Sequence, residues 1–181
     1  MKKVFLSLVL VSFFACNNVA QYAEAIGTLS SDWESTTQLV TALTGKISGA
    51  QEMLSGLQGQ MNLTDEVKGL LSEDQLGLVT QYITQFGGFN DVIGNLSSEV
   101  FGFVGNWQEK AKDLEALTSG LEAGKIEGDI QAKIAGLSTM VTEAKGKVAG
   151  WEETLSGTTS KAQSVFGQFK SIIDAVMPAS E

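Results

Sequence analysis

The sequence predicts an all-α chain, folded as an elongated antiparallel three-helix bundle with coiled-coil-like, heptad-patterned seams and a short helical turn between the first two helices. Three observations predict it. The only proline is Pro178, so nothing between Met1 and Met177 forbids a long helix. Apolar residues recur at alternating steps of three and four through three long stretches. Residues that end and restart helices concentrate at two places between those stretches.

The first stretch covers about residues 22–61. One frame carries Tyr22, Ile26, Leu29, Trp33, Thr36, Val40, Leu43, Ile47, Ala50, Leu54, Leu57 and Met61. The second covers about residues 73–121. Its frame runs from Leu76 through Phe86, Ile93, Val100, Trp107 and Leu114 to Leu121, with Asn90 and Ser97 as polar members. The third covers about residues 129–176, from Ile130 through Leu137, Val141, Val148, Trp151 and Val165 to Val176. A strand would need alternation with period two, and none is visible.

The breaks carry turn chemistry. At the first, Asn62 suits a C-cap and Thr64 an N-cap, with a short helical turn over 65–71. Ser72-Glu73-Asp74-Gln75 then has the Ser-x-x-Gln form of a capping box and opens the second helix. At the second break, Gly124 or Gly128 can supply a positive-φ C-cap, and Asp129 can cap the third helix. Such short connections make neighbouring helices antiparallel. Lengths of about 40–50 residues correspond to roughly 60–75 Å at 1.5 Å per residue.

Folding about these two turns brings Trp33, Trp107 and Trp151 toward one zone, as large aromatics filling a wide layer of the core. The second helix has an apolar face wider than a two-residue seam. Tyr82, Phe89, Leu96, Phe103 and Leu117 flank its frame on one side, and Phe101 lies on the other. A central helix packed on both neighbours explains this width. The alternative is an apolar groove or partner surface formed by Phe86, Phe89, Phe101 and Phe103. Gly87-Gly88 in the same segment can kink or break the helix.

The chain contains 20 glycines, and many within the helices fall at outward positions, among them Gly45, Gly56, Gly136, Gly157 and Gly167. Each costs an exposed helix about 1 kcal/mol relative to alanine, so the core seam must supply the stability.

Composition excludes several functions. The formal net charge is −9, which repels phosphate backbones and makes nucleic acid an unsuitable partner. There is no histidine and one cysteine, Cys16, so His-based triads and Cys/His zinc sites are not available. Paired carboxylates such as Glu152-Glu153 sit on solvated faces or at helix starts. No catalytic residues, metal site or cofactor are expected, and the chain is not read as an enzyme.

The N-terminus has a different character. Lys2-Lys3 precede an apolar run from Val4 to Ala15, the layout of a secretory signal and too short for a spanning helix. Phe13-Phe14-Ala15-Cys16 resembles a bacterial lipobox, the site cut by the lipoprotein signal peptidase. The resemblance covers residues 1–16 only. Ala15 and Cys16 match the pattern, while Phe13 and Phe14 depart from its usual leucine and small residue. It implies a signal peptide at 1–15, cleavage before Cys16 and a diacylglyceryl group on that sulfur. Residues 16–21 would then be a lipid-attached tether and 22–178 the helical bundle. Ala20 and Ala25 offer alternative cuts that leave a soluble secreted protein.

The expected function is that of an exported cell-envelope protein held to the membrane through Cys16. It would act as a helical structural or interaction module toward a protein partner or a second copy. A carrier of lipid or another apolar ligand, and a membrane-active helical protein, are the alternatives.

Overall fold

Helical backbone fills nearly all of residues 17–177, the part of the chain that this computed structural model describes, with side chains placed from Val19 onward. The expected signal peptide, Cys16 and Pro178 lie outside the described residues. The elements are α1 (Asn17–Ala20), α2 (Ala23–Gln60), α3 (Asp65–Leu70), α4 (Glu73–Glu122) and α5 (Ile130–Val176). No strand occurs among the described residues. The protein is therefore all-α, and its three long helices match the three heptad stretches to within a residue or two at each end.

The helix ends follow from local chemistry. Thr64 caps α3, its hydroxyl accepting from the Val67 amide at 3.3 Å. Ser72 and Gln75 form the reciprocal capping box. The Ser72 amide donates to Gln75 Oε1 at 2.9 Å, and the Gln75 amide donates to Ser72 Oγ at 3.3 Å. Asp129 caps α5 by accepting from the Ala132 amide at 3.0 Å. The end of α4 is a Schellman motif centred on Gly124, at φ +68°. The Gly124 amide reaches the Leu121 carbonyl at 3.1 Å and the Lys125 amide reaches the Gly120 carbonyl at 2.8 Å.

One expectation needs correction, and two readings gain detail. Asn62 is not the residue that caps α2, and it does not adopt the positive φ that only Gly124 and Gly128 show among the described residues. α2 instead stops at Gln60, with the Met61 amide on the Gln58 carbonyl at 3.0 Å. The Gly87-Gly88 pair does not break α4, which runs through it without interruption. Core contacts at Phe86 and Ile93 on either side outweigh a cost of about 1 kcal/mol per glycine. Within the expected tether, residues 17–20 form a helical turn, and Val19 is buried.

The described residues divide into two compact units, one of the residues up to 40 with 103–147, the other of 41–102 with those from 148 onward. In the first unit the core joins all three long helices. Ile26, Leu29 and Trp33 of α2 meet Trp107, Leu114 and Leu117 of α4 and Leu137, Val141 and Ala144 of α5. In the second unit the buried set includes Leu43, Ile47 and Leu54 of α2, Val79, Phe86, Ile93 and Val100 of α4, and Trp151, Ala162 and Phe169 of α5. Each buried valine, leucine, isoleucine or phenylalanine contributes about 1.5–3 kcal/mol through removal from water.

Leu96 and Leu117, which flank the α4 frame, are as buried as the frame itself. The wide face of α4 is thus largely core. Polar residues in the seam are satisfied. The Thr36 side chain is fully buried and donates to the Asp32 carbonyl at 2.7 Å. Asn90 Nδ2 donates across to Gln58 Oε1 at 2.9 Å. No buried side-chain nitrogen or oxygen among the described residues lacks a partner.

One glycine is required for space. A Cβ on Gly120 would meet Ile126 Cγ1 at 2.8 Å and, at 2.9 Å, the carbonyl oxygen of Lys125, the residue whose amide closes the Schellman turn. Gly120→Ala is expected to destabilise the protein by about 1–3 kcal/mol, despite alanine's better helix propensity. Urea unfolding checks this, and a stabilised variant would show that the turn does not sit on Gly120.

Candidate functional site

The aromatic residues singled out by sequence fall into distinct settings. In the first unit the Trp33 and Trp107 rings stack with centroids 3.7 Å apart and planes inclined by 14°. Phe103, one turn before Trp107 on α4, adds a tilted contact at 5.7 Å. Trp107 Nε1 donates to Thr37 Oγ1 at 2.9 Å, which satisfies the one polar atom of the buried ring. Both indoles are nearly closed to water, so this cluster is a packing layer. Trp151 is likewise buried, in the second unit.

The four phenylalanines proposed as a partner surface do not share one exposed face. Phe86 is 1% exposed and belongs to the core of the second unit, a correction to its expected role. Its period-3.5 position turns it inward, where it meets Phe89 edge-on at 6.1 Å. Phe89 and Phe103 are half-buried. Only Phe101 is open, at 61% exposure, the highest among the large apolar residues that lie exposed. Leu78 and Val92 are also exposed on α4.

A feature that sequence reading did not single out lies between α2 and α5 in the second unit. Lys46, Gly49, Ala50 and Met53 on one side and Glu152, Leu155, Ser156, Thr159 and Gln163 on the other line a solvent-open groove of about 550 Å³. Its floor is apolar, and two contacts cross it. Lys46 Nζ pairs with Glu152 Oε1, and Gln163 Nε2 donates to Met53 Sδ at 3.3 Å. Gly49 deepens the groove by lacking a side chain there. Heptad spacing could not have revealed it, because all of its lining but Ala50 and Leu155 flanks the seam and gains meaning only from which helix stands opposite.

Charged groups are arranged for solvation. Lys145 pairs with Asp32 at 2.8 Å, and both ends are about half exposed, so the pair contributes little. The Lys68 ammonium beside Asp65 lowers that carboxyl's pKa, through a hydrogen bond and charge attraction. No group of three or more His, Cys, Asp or Glu residues among the described residues is placed to hold a metal ion. No helix among the described residues is long and apolar enough to cross a membrane.

Fold and surface together define an all-α helical protein with an apolar groove and an isolated exposed aromatic ring. Comparison with protein-family models, curated proteins and solved structures gives no match for this chain.

Proposed function

We propose that the protein is an exported lipoprotein, anchored through a diacylglyceryl group on Cys16, whose long helices act as a non-catalytic interaction module in the bacterial cell envelope. The observation that carries this reading is the N-terminal sequence. Two lysines precede an apolar run, and the only cysteine of the chain follows immediately after Ala15. An N-terminal lipid with two or more chains anchors stably, whereas one chain binds only marginally.

The finer architecture in this reading is a heptad-patterned antiparallel three-helix bundle. Support comes from the first unit, where frame residues of α2, α4 and α5 share one core. It also comes from the buried frame residues contributed by the same three helices to the second unit. The interaction role rests on Phe101, because an exposed aromatic on a helix is costly to leave in water and is the kind of anchor that partner surfaces bury.

Two experiments test the two halves. Intact mass spectrometry of protein recovered from membranes should show a chain beginning at Cys16 and carrying acyl chains, and Cys16→Ser should abolish both cleavage and lipid. A lipid-free chain beginning at Gln21 or Ile26 would overturn the anchor and leave a secreted protein. For the module, a photo-crosslinking residue at Phe101 should capture a defined partner in intact cells, while the same residue at exposed Lys161 should not. Equal labelling at the two sites would remove Phe101 as an interaction anchor.

A further inference from the structure

We draw no further inference here: the strongest candidate, the solvent-open groove between α2 and α5 floored by Gly49, Ala50, Met53 and Leu155, carries none, because its rim charges Lys46 and Glu152 pair with each other and nothing in the structure shows what covers its apolar floor.

Discussion

Trp107→Ala should destabilise the protein by about 3–5 kcal/mol, the usual cost of deleting a large buried aromatic. The ring is 3% exposed and stacks on Trp33 at 3.7 Å. It also belongs to the core that joins α2, α4 and α5 in the first unit, so its loss leaves a void facing three helices. Those helices cannot all close on the void without shifting their other seam residues. Trp107→Phe separates the contributions. It keeps most of the apolar volume and loses the indole N–H that reaches Thr37, so a cost of about 1–2 kcal/mol is expected. Urea midpoints for the two variants give the comparison. A Trp107→Ala loss well under 1 kcal/mol would mean that the indole is not seated between the helices.

The opposite result is expected on the outer faces. Simultaneous substitution of Gly45, Gly56, Gly136, Gly157 and Gly167 by alanine should stabilise the protein by about 3–5 kcal/mol. A Cβ at any of these positions meets nothing within 4 Å, so the gain in helix propensity is not offset by a clash. The sites are well separated along the helices, which favours additivity. For a chain of this length the gain corresponds to roughly 6–20 °C in Tm. Gly124→Ala provides the contrast within the same assay. Gly124 sits at φ +68°, where alanine is strained, and a loss of about 1 kcal/mol is expected. Calorimetry reads both. If the fivefold variant melted no higher than the parent, the outer faces would not be bare, and a further contact would have to cover them.

The two experiments divide the chain's stability between its inner and outer surfaces. The helices have poor intrinsic propensity, because glycine, serine and threonine occupy so many outward positions. Cross-helix ion pairs do little to compensate, since Lys145–Asp32 and Lys46–Glu152 are solvent-exposed at both ends. The core must therefore carry the fold, and the tryptophan pair is its largest single element in the first unit.

Helix boundaries were legible in the sequence because they depend on residues close together in the chain. The Ser72–Gln75 box, the Asp129 cap and the Gly124 turn each form within a span of a few residues. The inward direction of Leu43, Ile93 and Val165 was legible for a similar reason, since helical geometry converts spacing into a face. Asn62 misled because turn propensity marks a helix end only to within a residue or two, and α2 stops at Gln60. Phe86 misled because apolar character alone does not distinguish a core ring from a docking ring.

Local spacing and capping chemistry determined that this chain is helical, where its long helices start and stop, and which stripe of each turns away from water. Tertiary packing alone decided that Trp33 meets Trp107 and that the Trp107 indole N–H reaches Thr37. The physical reason is range. A hydrogen bond between residues three or four apart is written in adjacent letters, whereas a ring's surroundings are set by side chains dozens of residues away that reach it only once the helices have assembled.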